Sequence, residues 1–312
     1  MEKVAIGRTD LRTIPLGIGT WAWGDQLFWT YGKDYGAAEV KAAFQTAIDG
    51  GITLFDTAEV YGLGESERIV GEMVRKNGRA STLIATKYMP LPWRVSAQQV
   101  ESALANSLER LQVKCIDLYQ IHQPVSFLMG QNKLLDVLAT AVKAGKVRAI
   151  GVSNYSAQQM RSAHEYLQKK GIPLAVNQVQ YSLLARQIES NGVLQTAKEL
   201  GVTILAYSPL AQGLLTGKYT ALKSPNGARQ LDPKFGSSGI ARIEPLMKTL
   251  RELSEVYDKS PAQIALNWLV GRRVIPIPGV KNPRQVEENL GALGWELRPE
   301  DSAQLSRVSA SL

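Results

Sequence analysis

Eight short runs of β-forming residues recur along this chain, each followed by a segment with helical apolar spacing, and that alternation constrains the fold more than any other feature. The runs are LGIGTW (16–21), ITLFDTA (52–58), TLIATKY (82–88), IDLYQIH (116–122), AIGVSN (149–154), AVNQVQY (175–181), TILAYSPL (203–210) and VIPIPGV (274–280). Among the intervening segments VESALANSLERL (100–111) is the clearest, with Val100, Leu104, Leu108 and Leu111 on one helical face. LLDVLATAVKAGKV and PAQIALNWLV behave similarly, and Gly50–Gly51, Gly145, Gly171 and Gly201 stand where helix stops are expected. The pattern predicts an α/β fold, a single (β/α)8 TIM barrel spanning residues 1–312. A chain of 312 residues suits it, since such barrels typically need about 250 residues plus insertions. No GxGxxG follows the first run, which argues against a doubly wound dinucleotide-binding sheet. VAIGRTDLRTIP reads as an N-terminal β-hairpin around Arg8-Thr9-Asp10, placed to plug the barrel bottom. PEDSAQLSRVSASL reads as a last helix capped by Asp301 or Ser302.

Composition narrows the function. The net charge is +8, but lysines and arginines are spread along the chain, so a nucleic-acid partner has little support. A basic pocket for an anionic small molecule fits that charge equally well. The single cysteine, Cys115, excludes an intrachain disulfide and reads as a small buried residue. The start of the chain lacks the apolar stretch of a signal peptide and the bias of a transit peptide, and no apolar run reaches the ~18 residues of a membrane helix. A soluble, cytoplasmic protein, or a mature one after processing, is therefore expected. One cysteine and two separated histidines offer no zinc ligand set, so no metal is expected. No GxSxG marks a serine hydrolase.

Two connections are too long to be simple links, 21–37 with its dense aromatics and 211–240, rich in Gly, Ser and Lys. Both follow strand C-termini, the face on which barrel active sites are built. On that face Asp56, Lys87, His122 and Asn154 end successive predicted strands, and Gln178 and Tyr207 lie in later ones. Strand alternation sets Leu54 with Asp56 and Ala85 with Lys87, so carboxylate and ammonium can meet at the barrel mouth, within reach of Tyr61. A phenol of reference pKa about 10 is a slow acid at neutral pH. A neighbouring ammonium favours its phenolate and is expected to lower that value. Asp56 would hold Lys87, and His122 would orient a carbonyl oxygen or share the proton, making Tyr61 a proton donor to a carbonyl. The competing reading is a buried structural Asp56–Lys87 pair. Glu59 reads as loop or rim, because a second buried acid would compete for Lys87. His164, in SAHEYLQKK, reads as a helix-surface residue. Trp21, Trp23, Trp29 and Trp93 are candidate walls of the substrate pocket. Trp21 and Trp23 straddle the end of the first strand, so at least one of them should face that pocket.

FDTAEVYG, ATK, YQIH, GVSN, NQVQYS, YSPLAQGLLTGKY and IPGVKNPRQVEENLGA, in this order, resemble the aldo-keto reductase superfamily over nearly the whole chain. WAWGDQLFW, LPWR and the closing IPIPGVK…VEENLGALGW look most like its branch of plant chloroplast pyridoxal reductases and related cyanobacterial proteins. The resemblance implies a barrel that binds NADPH and a catalytic set of Asp56, Tyr61, Lys87 and His122. It implies that Ser153, Asn154 and Gln178 hold the nicotinamide carboxamide and that Tyr207 stacks on the ring. Ser208, Leu210, Gln212 and Gly213 would follow the pyrophosphate. Gln285, Glu288 and Asn289 would surround the adenosine, and position 285 is Gln where many relatives carry Arg. Lys281, assisted by Arg284 and Arg229, would meet the 2′-phosphate.

The resemblance thus implies transfer of the pro-R hydride to an aldehyde or ketone while Tyr61 protonates the oxygen, with pyridoxal the favoured substrate. Two rivals accompany it. One is a broad reductase of reactive carbonyls such as methylglyoxal; the other is a slow NADPH-sensing subunit similar to potassium-channel β subunits. No sequence patch marks an oligomer interface, and a monomer is the expected form.

Overall fold

Leu54, Ala85, Leu118, Ala149, Val176, Leu205 and Ile275, one from each of seven β-runs, form a single buried cluster with exposures of 2% or less. In the computed structural model, which describes residues 2–125, 129–220 and 223–312, eight parallel strands enclose that cluster. They are β3 (Ile18–Gly19), β4 (Leu54–Asp56), β5 (Leu83–Tyr88), β6 (Ile116–Ile121), β7 (Val147–Ser153), β8 (Leu174–Gln180), β9 (Thr203–Tyr207) and β10 (Ile275–Pro276), paired in sequence order. The sheet closes on itself. Gly17 N–H donates to Pro276 O at 3.0 Å and Gly19 N–H to Pro278 O at 3.1 Å, joining the first strand to the last. These two strands are shorter than the runs 16–21 and 274–280 suggest, because Pro276 and Pro278 have no N–H to give and only their carbonyls pair.

Outward strand residues such as Phe55, Ile84, Tyr119 and Val152 pack beneath the surrounding helices. Between strands run α1 (Ala37–Asp49), α2 (Glu65–Asn77), α3 (Ala97–Leu111), α4 (Gln131–Lys143), α5 (Ala157–Gln168), the short α6 (Gln187–Ser190), α7 (Val193–Leu200), α8 (Ser237–Tyr257) and α9 (Pro261–Val270). After the last strand come α10 (Pro283–Leu290) and α11 (Pro299–Ala310). Ser96, Ser156 and Ser260 cap α3, α5 and α9, each accepting an N–H three residues on.

The N-terminal segment forms the expected antiparallel hairpin, β1 (Val4–Ala5) with β2 (Arg12–Thr13). Its Ile6 and Leu11 enter the interior cluster and close the barrel at the N-terminal ends of the strands. Arg148 ties the hairpin down, donating to Asp10 at 2.7 Å and to buried Asp117 at 2.8 Å.

Three local expectations need correction. His164 is not on the surface: it is 7% exposed, on the face of α5 shared with Met160, Ala163 and Leu167. Burial there, with the charge of Arg8, pushes its imidazole down from the usual range. The last helix has no side-chain cap; Pro299 sets its start, and Asp301 lies inside the first turn bonded to Arg298 and Tyr257. Cys115 is half-buried just before β6, and burial pushes its thiol up, against nucleophilic use.

Candidate active site

The strand register brings the predicted polar residues together at the C-terminal end of the barrel. Lys87 is fully buried, and its Nζ donates to Asp56 Oδ2 at 2.6 Å, to Thr57 O at 2.8 Å and to the Tyr61 hydroxyl at 3.3 Å. Tyr61 opens a tight turn (Tyr61–Gly64) that follows β4. That turn lies directly on the loop after β3: Gly62 has φ +55°, and a Cβ there would stand 2.7 Å from Gly24 O. His122, just past β6, meets the Tyr61 ring edge-on at 5.8 Å between centroids.

Burial dominates the electrostatics. It pushes the Tyr61 phenol up, and the Lys87 ammonium opposes this only in part, so the expected net lowering is not found. A phenol raised in this way stays protonated at neutral pH, loaded as an acid. Burial disfavours the Lys87 ammonium, but the Asp56 carboxylate and Tyr61 raise it above its usual value, so it remains charged. Burial first, then the Lys87 charge, takes His122 down to about 3. His122 is therefore a neutral imidazole, able to orient an oxygen but with no second proton to give.

Tyr61, His122 and Asp56 line a cavity of about 910 Å3, near the upper end of the roughly 300–1,000 Å3 of small-molecule sites. Lys87 stands behind them. Ser153, Asn154, Gln178 and Tyr207 all line the same cavity. There the Tyr207 hydroxyl donates to Asn154 Oδ1 at 3.0 Å, and Ser153 Oγ donates to Gln178 O at 2.9 Å. Ser208, Leu210, Gln212 and Gly213 line it too, with left-handed backbone at Ser208, Ala211, Gln212 and Gly213. The Ala211 and Gly213 N–H groups donate within the run, to Ser208 O and Leu210 O at 2.9 Å each, and a run of this kind turns its remaining N–H groups toward an anion. Lys281, Gln285, Glu288 and Asn289 complete the set, with Gln285 Oε1 accepting the Lys281 N–H at 2.8 Å. The cations Lys281, Arg229 and Arg284 share this lining.

A nicotinamide dinucleotide fits these walls. Gln212 Oε1, Arg229 Nε and Trp29 Nε1 are buried without a hydrogen-bond partner among the described residues, and all three side chains line the cavity. A ligand carrying amide, hydroxyl and phosphate groups supplies what they lack.

A model of the Aldo/keto reductase family matches residues 15–310. The chain belongs to the aldo/keto reductase family. The reductase is 39% identical to the chloroplastic pyridoxal reductase of Arabidopsis thaliana, over 97% of this chain and 85% of that protein. It is 30% identical to the NADH-specific methylglyoxal reductase of Escherichia coli, over 100% of this chain and 99% of that one. An aldo-keto reductase from Klebsiella pneumoniae, solved in complex with NADPH, is similar with a TM-score of 0.75 at 26% identity, covering 99% of this chain and 95% of that one.

The aromatic expectations divide. In the reductase Trp21 and Trp29 line the cavity, edge-to-face at 5.5 Å, and Trp21 lies nearly parallel to the Tyr61 ring at 6.0 Å. Trp23 and Trp93 do not line it. The chain turns at Trp23, whose N–H bonds to Thr20 O, and the indole enters the core against Phe44 and Phe55 with Nε1 donating to Val280 O at 2.8 Å. Trp93 is 66% exposed. Glu59 lies in the loop after β4, as expected, but not on the rim. Its side chain is 6% exposed and pairs with Arg94 from the loop after β5, so it does not compete for Lys87. Sequence reasoning also passed over Gln120, buried in β6, whose Nε2 donates to Asp56 Oδ1 at 3.0 Å. The signal was available: Gln120 shares the inward parity of Leu118.

Proposed function

We propose that this reductase uses NADPH to reduce an aldehyde or ketone to the alcohol, with pyridoxal, reduced to pyridoxine, as favoured substrate. The observation that carries the proposal is that a single cavity is lined both by the Tyr61–His122 pair, backed by Lys87, and by the cations Lys281, Arg229 and Arg284. When bound, the cofactor supplies the hydride that reduces the carbonyl carbon. Ser153, Asn154, Gln178 and Tyr207 would hold its nicotinamide, Ser208 to Gly213 its pyrophosphate, and Gln285, Glu288 and Asn289 its adenosine. Lys281 and Arg229 would meet the 2′-phosphate as charge-assisted partners. Tyr61 gives its proton to the carbonyl oxygen, and Lys87, held by Asp56, stabilises the phenolate left behind until solvent reprotonates it. His122, neutral, directs the carbonyl oxygen toward Tyr61. Trp21, stacked on Phe28 at 4.8 Å and lying beside the Tyr61 ring, would wall the space an aldehyde occupies.

The pyridoxal reading draws support from the Arabidopsis relative at 39% identity, and the broader reading from the methylglyoxal reductase at 30%. NADPH consumption with pyridoxal, methylglyoxal and 4-nitrobenzaldehyde, measured side by side, tests them. A clear preference for pyridoxal is expected. Similar rates on all three make this a general carbonyl reductase, and tight NADPH binding without turnover makes it a sensing subunit.

A further inference from the structure

The barrel interior is apolar at the level of Leu54, Ala85 and Leu118. The layer above is polar, built from Asp56, Gln120 and Gln178 at exposures of 2%, 0% and 2%. They project from β4, β6 and β8, alternate strands, as the layers of such a barrel do. Proton donation by Tyr61 makes no direct use of Gln120, yet its side chain is given room to reach across the barrel. Gly151 provides it, since a Cβ at that position would stand 2.9 Å from Gln120 Cγ.

Asp56 Oδ2 is taken by Lys87, and Oδ1 accepts from Gln178 Nε2 at 2.7 Å and from Gln120 Nε2 at 3.0 Å. Gln178 Nε2 also donates to Gln120 Oε1 at 3.2 Å. An ionised carboxylate only accepts, so it sets the direction of both amides. Flipping either one would place a carbonyl oxygen against a carboxylate oxygen. Both N–H groups of Gln178 are thereby used inside the barrel. Gln178 lines the cavity, and the polar atom left to it there is Oε1, which has no hydrogen-bond partner among the described residues.

We propose that Gln120 is a positioning residue: together with Asp56 it locks the Gln178 amide so that only an acceptor faces the cofactor's carboxamide. The inference rests on the reading of this cavity as a nicotinamide-dinucleotide site. An acceptor in that place selects the NH2 of a primary carboxamide and offers nothing to a methyl ketone. Without Gln120 one Gln178 N–H is released, the amide can turn it toward the cavity, and that selection relaxes.

The test is equilibrium binding, by titration calorimetry, of oxidised NADP and of its 3-acetylpyridine analogue, which carries a methyl ketone in place of the carboxamide. Wild-type protein is expected to prefer NADP by about 3- to 10-fold, the size of one neutral hydrogen bond. Gln120→Met, close in shape but without the amide, is expected to bring the two Kd values to within about twofold while the Tm stays near wild type. Gln120→Asn, too short to reach both partners, is expected to do the same and serves if the methionine variant does not fold. A wild-type preference retained in full by the variants overturns the role of Gln120 and leaves the carboxamide reading standing. If wild type binds both forms equally, Gln178 is not the carboxamide acceptor and the proposal falls with that reading.

Discussion

At the scale of single residues, the site combines two kinds of charge control. Around Tyr61 burial dominates and Lys87 opposes it, so the phenol is held protonated beside the cation that, on the proposed mechanism, would stabilise its conjugate base. At Lys281 burial, followed by the charges of Arg229 and Lys218, brings the ammonium down to about 8. Its Nζ meanwhile donates to Trp29 O at 3.1 Å and lies 4.2 Å from the centre of the Tyr35 ring. A phosphate binds the protonated form, so binding raises this value. Below about pH 8 the free protein already holds the proton and NADPH affinity is flat. As pH rises through about 8, affinity is expected to fall by up to about tenfold per unit until the bound-state value is reached. NADH, which has no 2′-phosphate, should show little of this fall. Titrations of both cofactors between about pH 7 and 10 check it, and parallel curves would remove Lys281 from phosphate recognition.

At the scale of elements, the loop carrying Tyr61 is held from both sides. Gly62 lets it lie on the loop after β3, and Glu59 joins it to the loop after β5 through Arg94 and the Met89 N–H at 2.7 Å. Arg94→Met leaves a buried carboxylate with too few partners. It is expected to cost about 2 kcal/mol, less than for a fully buried pair because Arg94 reaches solvent, and to lower kcat by about tenfold. Adding Glu59→Gln should recover most of the stability, as read by urea unfolding in a double-mutant cycle; additive losses would show that the pair does not hold the loop. This level was only partly legible in the sequence. Strand alternation was enough to bring Asp56 and Lys87 together, because residues of one parity on neighbouring parallel strands share a face; Tyr61 followed from the loop after Asp56 and His122 from the end of its strand. Alternation says nothing of partners in different loops, so the Glu59–Arg94 pair was missed and Glu59 was read as loop or rim without a partner. The same limit applies to Trp23 and His164, where the rotation of a turn or a helix about its axis decides between core and surface.

At the scale of the whole molecule, the barrel separates stability from chemistry by its two ends. The alternation of strands and helices and the N-terminal hairpin were readable because both rest on local spacing, and eight such units leave closure as the way to bury every strand edge. The ring closure itself, through Gly17, Gly19, Pro276 and Pro278, has no local signature. If the hairpin is a plug at the N-terminal end, Ile6→Ala should destabilise by about 2–5 kcal/mol and leave KM unchanged. A change in KM without loss of Tm would contradict that division. The C-terminal end carries the central claim, that Tyr61 is the proton donor of an NADPH-dependent carbonyl reduction. The most direct measurement is kcat of Tyr61→Phe with pyridoxal, alongside its Kd for NADPH. The account predicts a fall in kcat of about 10²- to 10⁴-fold with a Kd within about threefold of wild type. A variant that turns over at the wild-type rate would contradict it.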